Sequence, residues 1–166
     1  MPDTSDRLKL PLLTAGQAQK EVTHNEALAL ADMLVQPVVQ SVAPASVPGA
    51  PQPGQCWIVG AGATGDWAGQ DGALACWTSG GWRFAAAFEG MTAWNLATGS
   101  FVRRSASAWL AGVLAGSRLD INGVQVIAAR QAAIANPSGG TTIDAEARVA
   151  LAAILASLRT HGLIAP

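Results

Sequence analysis

Charge is scarce in this chain. Only 13% of its 166 residues are Asp, Glu, Lys or Arg, and ten basic residues against eleven acidic ones leave a net charge of −1. No basic footprint exists that could hold a phosphate backbone or an anionic lipid surface, which argues against nucleic acid as a partner. Histidine is as sparse, with His24 and His161 far apart in sequence. Glu21-Val-Thr-His24 has the Glu-x-x-His spacing of carboxylate-bridged metal bundles, but such bundles need a second copy and further carboxylates. No local pattern brings either histidine to a nucleophile. No catalytic residue, metal site or cofactor is therefore expected. Half the residues are hydrophobic, much of this alanine, and no apolar run approaches the roughly 20 residues of a spanning helix. A soluble protein without membrane insertion is expected. The first residues, Met1-Pro-Asp-Thr-Ser-Asp6, lack the basic and apolar regions of a secretory leader. Without export, Cys56 and Cys76 are expected to be separate buried thiols rather than a disulfide.

What the chain does have is tryptophan, and all six residues (Trp57, Trp67, Trp77, Trp82, Trp94 and Trp109) fall between Gly54 and Trp109. Between turn signals, Gln55–Gly60, Ala73–Thr78, Gly81–Ala85, Thr92–Leu96 and Ser100–Arg104 are rich in β-branched and aromatic residues and read as short strands. Thr78-Ser-Gly-Gly81 and Ala97-Thr-Gly99 suit tight hairpins, where glycine accepts the positive φ such turns require. One tryptophan buries roughly 200 Å², so Trp57, Trp77 and Trp82 are expected to be core. The alternative is a carbohydrate-stacking face.

The flanks read as helices and connections. Residues 1–9 look like a polar tail. Thr14, with Gln17 three residues on, has the spacing of a capping box, and a helix is expected from about Ala15 to Leu34, ending before Pro37. Ala18, Val22, Ala29 and Met33 give it a narrow apolar face opposite Gln17, Lys20, Glu21 and His24. Val38–Val42 could be a first strand, residues 44–54 form a proline-rich spacer, and Ser105–Arg118 fits a short helix or a strand. Asn122-Gly123 between alternating apolar residues is a type I′ hairpin signature. Residues 128–140 read as an irregular connection. Thr141 or Thr142 then opens a last helix whose acidic start and basic end suit the helix dipole. Ala147, Leu151, Ile154, Leu158 and His161 are spaced 4, 3, 4, 3, the seam of a short coiled coil. The elements add up to an α+β architecture: an N-terminal tail and helix (1–36), a small Trp-rich antiparallel β domain (37–118), and a hairpin, connection and C-terminal oligomerising helix (119–166).

Gly60-Ala-Gly-Ala-Thr-Gly65 matches the dinucleotide-binding glycine pattern, but no helix starts in the loop to carry a pyrophosphate. A glycine-rich hairpin loop is expected instead. Asp66 and Asp71 flank Trp67 and form a candidate glycan contact.

The run Gln17-Ala-Gln-Lys-Glu-Val-Thr-His-Asn-Glu26, with Gly62-Ala-Thr-Gly-Asp-Trp-Ala-Gly69 and Gly80-Gly-Trp-Arg-Phe84, resembles a family of function-unknown domains encoded in alphaproteobacterial prophages and gene transfer agents. The resemblance covers roughly Leu10 to Trp109. The family has no established catalytic residues. The resemblance implies a virion component assembled in the bacterial cytoplasm: the base or adaptor of a head spike or tail fibre. Its expected partners are a capsid or tail protein, a fibre protein and further copies of itself as a trimer or pentamer. The docking residues would be Gln17, Lys20, Glu21, His24 and Asn25, with Ala147, Leu151, Ile154 and Leu158 at the oligomer seam. The rival expectation is a carbohydrate-binding module that touches host capsule polysaccharide directly.

Overall fold

Successive side chains of a strand point to opposite faces, and in Cys56-Trp-Ile-Val59 both faces are apolar, so this strand has to be covered on two sides. The computed structural model covers it so. It describes residues 4–13, 20–142 and 144–166 and divides into Met1–Leu114 and Ala115–Pro166. The class is α+β.

In the first unit, helix α1 (Lys20–Leu34) is followed by strands β1 (Val38–Val39), β2 (Cys56–Ile58), β3 (Leu74–Thr78), β4 (Gly81–Ala85), β5 (Thr92–Asn95), β6 (Ser100–Arg104) and β7 (Trp109–Ala111). A three-stranded sheet runs β2-β3-β4 and a four-stranded one β1-β5-β6-β7. All these pairs are antiparallel except β1 with β5. The segment 105–118, open between helix and strand in the sequence, supplies β7, and Trp109 donates its Nε1–H to the Gly72 carbonyl at 2.8 Å.

One core holds Met33, Val39, Ile58, Leu74, Met91, Ala93 and Val102, drawn from α1 and both sheets. The opposite face of β2-β3-β4 carries a second core of Trp57, Val59, Ala63, Trp67 and Ala75, flanked by half-buried Trp77, Trp82 and Phe84. Trp57, Trp67 and Trp77 each lie within 5.1–5.7 Å of the Trp82 ring, in edge-to-face geometry, an arrangement the aromatic quadrupole favours.

Four expectations need correction. Cys56 and Cys76 are not separate thiols. They are directly opposite in the β2–β3 register and joined as a disulfide, because register, invisible in composition, sets which side chains meet. Closing a loop of 20 residues stabilises by about 3 kcal/mol in the chain-entropy model.

Residues 4–9 are not a tail. Thr4 pairs with Pro11, Ser5 N–H donates to the Leu10 carbonyl, and the turn closes on Asp32 of α1, which accepts from Ser5 Oγ–H and Arg7 N–H, each at 2.9 Å. The Arg7 guanidinium donates to the Asp32 and Gln36 carbonyls and so satisfies orphan acceptors at the helix end. The apolar face of α1 holds only in part: Met33 is buried as expected, but Val22 is exposed, and the polar Asn25 and Asp32 are buried. Polar side chains that bond backbone do the holding. Thr14, Ala15, Gln17 and Ala18, and with them the expected cap, lie outside the described residues.

The second unit contains the hairpin β8 (Leu119–Ile121) and β9 (Val124–Ile127) and helix α2 (Ala145–Thr160). Asn122 and Gly123 have φ of 51° and 76°, as a type I′ turn requires. The α2 N-cap is Asp144, not Thr141 or Thr142; its Oδ1 accepts from Ala147 N–H at 2.8 Å. The irregular 128–140 segment is held to α2 by guanidinium bonds, from Arg148 to the Gly139 carbonyl and from Arg159 to the Ile134 carbonyl.

Trp67 has no exposed surface and joins the second core, so Trp67→Ala should cost about 3–5 kcal/mol. Denaturant unfolding of the variant measures it.

Candidate functional site

The residues expected at a docking face of α1 separate into two groups. Lys20 and His24, four apart on one helical face, are exposed, and Glu21 beside them is half-buried. Asn25 faces inward: its Oδ1 accepts from Leu13 N–H at 2.9 Å and its Nδ2–H donates to the Leu13 carbonyl at 3.0 Å. Asn25 therefore fastens residues 4–13 to the helix and is not a partner contact. Gln17 lies outside the described residues. Next to this face, Arg83 of β4 grips Glu26 through two bonds, Nε to Oε2 at 2.6 Å and Nη2 to Oε1 at 2.7 Å. That hydrogen bonding, with the guanidinium charge and against partial desolvation, holds the Glu26 carboxyl below the usual range.

A cavity of about 210 Å³ lies between the 4–12 turn, α1 and the β3–β4 turn. Its polar walls largely bond one another: Asp6 accepts from Ser79 N–H at 2.9 Å, Asp32 holds the turn, and Glu26 holds Arg83. It is a packing feature of the N-terminal turn.

The glycan candidates do not converge. Trp67 is buried and presents no ring face to a sugar. The Asp71 carboxylate accepts from Gly62 N–H at 2.8 Å and Ala63 N–H at 3.2 Å, so it closes its own loop. Asp66 alone is free on the surface. The glycine pattern is structural as well. A Cβ on Gly60 would lie 2.5 Å from the Ala43 carbonyl oxygen, and Gly62 and Gly65 have φ of 68° and 64°. The loop leads only into a three-residue 3₁₀ turn, Gly65–Trp67.

An aromatic surface exists elsewhere, among residues that no motif in the sequence marks. Register puts Val38, Trp94 and Phe101 in one row across β1, β5 and β6. Trp94 and Phe101 meet edge-to-face at 4.9 Å, Phe101 is 53% exposed, and a groove of about 360 Å³ runs past them to Gln36 and Pro37. The available signal was alternation, since Ala93 and Asn95 point inward and Thr92 and Trp94 outward.

In the second unit, the seam residues Ala147, Leu151 and Ile154 are exposed and Leu158 is half-buried, while Leu155, beside the seam, is the buried member of α2. Ala147, Leu151 and Ile154 are thus turned away from the unit's own interior. Among the described residues no group of three His, Cys, Asp or Glu could hold a metal ion, and no helix is long and apolar enough to cross a membrane.

Residues 24–110 match a family model described as Protein of unknown function (DUF2793). The match begins within α1, spans both sheets and stops before the second unit. No curated protein matches the chain.

Two outcomes check this assignment of roles. Asp71→Ala should lose about 1–2 kcal/mol with its two charge-assisted bonds, whereas Asp66→Ala should change stability by no more than about 0.5 kcal/mol; chemical denaturation compares them. The Glu26–Arg83 pair contributes above the ordinary glutamate pKa of about 4.3, because the folded value is the lower one, and its contribution fades as pH falls through that folded value. Partial exposure limits it to about 1 kcal/mol. Melting from pH 7 to pH 3 should therefore show Glu26→Gln below wild type at neutral pH, with the gap narrowing toward the acid end.

Proposed function

We propose that this chain, which belongs to the DUF2793 family of unknown function, is a structural component of a phage-like particle of the gene-transfer-agent kind. It serves as the base or adaptor of a head spike or tail fibre, joins a capsid or tail protein to a distal host-binding fibre, and has no catalytic role. It assembles in the bacterial cytoplasm and functions in the virion as a homo-oligomer, trimeric or pentameric, through the α2 seam.

The observation that carries the reading is the contrast between the two units. The first encloses two apolar cores, and the second leaves most of its large apolar side chains exposed, as expected of a segment completed by assembly. The resemblance of residues 10–109 to domains encoded in prophages and gene transfer agents supplies the setting. The disulfide supports it too, because such bonds persist in oxidising surroundings, where a released particle operates. On α1, Lys20 and His24, with Glu21 between them, offer hydrogen-bonding groups to the particle.

A second reading, a module that contacts capsule polysaccharide directly, draws on the Trp94–Phe101 surface in place of the Asp66–Asp71 loop. Exposed aromatic rings suit the apolar faces of sugars. Trp94→Ala separates the readings: it should leave particle incorporation intact, and a loss of glycan binding would favour the second.

The test of the adaptor is incorporation. Blots of purified particles should detect the wild-type chain, and a combined Lys20→Ala, Glu21→Ala, His24→Ala chain should stay folded yet be missing. Wild-type particles without the chain would overturn the adaptor reading, and normal incorporation of the triple variant would remove α1 as the docking face.

A further inference from the structure

Apolar surface in residues 115–166 is out of proportion to the core the segment forms. Among the described residues there, the buried apolar side chains are Leu155 and Ile164. The hairpin, by contrast, is exposed at every position on both strands. Its register sets Ile121 opposite Val124 and Asp120 opposite Gln125. By alternation Val126 shares the face of Ile121 and Val124, and these side chains are 54% (Ile121), 65% (Val124) and 51% (Val126) exposed. On α2, Leu151 and Ile154 are 49% and 56% exposed.

Neither element is stable on such terms alone. A lone two-stranded hairpin is marginal in water, and three or more strands or a packed helix are needed to hold one. A 16-residue helix is near the length at which isolated helices are marginal. Small units compensate with disulfides, metals or association. Both cysteines lie in the first unit and bond each other, and no metal-binding group exists among the described residues. Association remains.

We infer that residues 115–166 form a self-assembly module in which the apolar face of the Leu119–Ile127 hairpin, together with the α2 seam, is buried against the same unit of further copies of this chain. This rests on the oligomeric part of the proposed function and adds the hairpin to it. Identical copies are the occupant for two reasons. The 4-3-4-3 seam is self-complementary, since each knob needs a hole of the same period on its neighbour. Charge gives little handle to a different partner: Arg148 and Arg159 are spent on carbonyls of their own chain, Arg118 pairs with Asp120 at 3.0 Å, and Asp144 caps α2, which leaves the exposed Arg130 and Glu146, one of each sign. A neutral apolar face matches another neutral apolar face, and this unit carries one on each element.

Light scattering after size exclusion on the purified full chain tests it. The wild type should have a mass that is a multiple of 16.9 kDa. Ile121→Asp with Val124→Asp, and separately Leu151→Asp with Ile154→Asp, should each bring it to the single-chain mass. All six tryptophans lie in the first unit, so an unchanged near-UV circular dichroism spectrum shows that unit still folded in both variants. A wild-type chain at single-chain mass, or a hairpin variant that keeps the wild-type mass, overturns the inference. The measurement involves no particle: self-association by a chain that never enters particles keeps this inference and removes the adaptor, and a monomer found in particles does the reverse.

Discussion

Burying both faces of a three-stranded sheet is the constraint on which the first unit depends. Each side of β2-β3-β4 must meet apolar matter, or the strands would leave Ile58 and Leu74, or Trp57 and Ala75, in water. One side is met by the second sheet and Met33 of α1, the other by Trp67 brought round on the 62–71 loop. The loop is long enough to turn back because Asp71 staples it and glycines take its left-handed positions. What resembles a nucleotide-binding motif is thus the hinge that folds a tryptophan over the sheet.

Alternation and turn chemistry made the fold class and most strands legible, and the Asn122-Gly123 turn with them. Partners across strands were not legible. Nothing in Cys56-Trp57 or Cys76-Trp77 says that these pairs share a register, and a one-residue slip would have placed the sulfurs on opposite faces. The N-terminal turn was missed for a different reason. Residues 4–9 carry no periodic signal, and Asn25 and Asp32 look like solvated polar residues until the backbone they bond is known. A buried carboxylate or amide that accepts and donates to a turn reads as hydrophilic in any pattern that equates polarity with exposure.

The candidate surfaces divide along the same line. Helical period named the residues of α2 that could share a seam; Ala147, Leu151 and Ile154 of these are exposed and Leu158 is half-buried. Adjacency in sequence suggested Asp66, Trp67 and Asp71 as one contact, and adjacency failed, since a tight loop sends neighbouring side chains to different places. The aromatic row Val38–Trp94–Phe101 needs a parallel pairing between distant segments, which no local window contains.

The segment 38–43 belongs to both sheets. Val38 and Val39 pair with β5, while Gln40 N–H donates to the Cys56 carbonyl and Ala43 N–H to the Ile58 carbonyl. Its length is consequently fixed by two rulers at once. One residue added between Val39 and Val42 would keep one pairing only by inverting the faces of the other, turning either Val39 or Val42 to the wrong side. Immediately beyond, Gly60 N–H donates to the Pro44 carbonyl at 2.8 Å and leaves no slack to absorb the shift. Insertions, tags and grafted peptides therefore have no home here, and a turn such as Ala97–Gly99, tied into one hairpin alone, is where the domain has room to accept them.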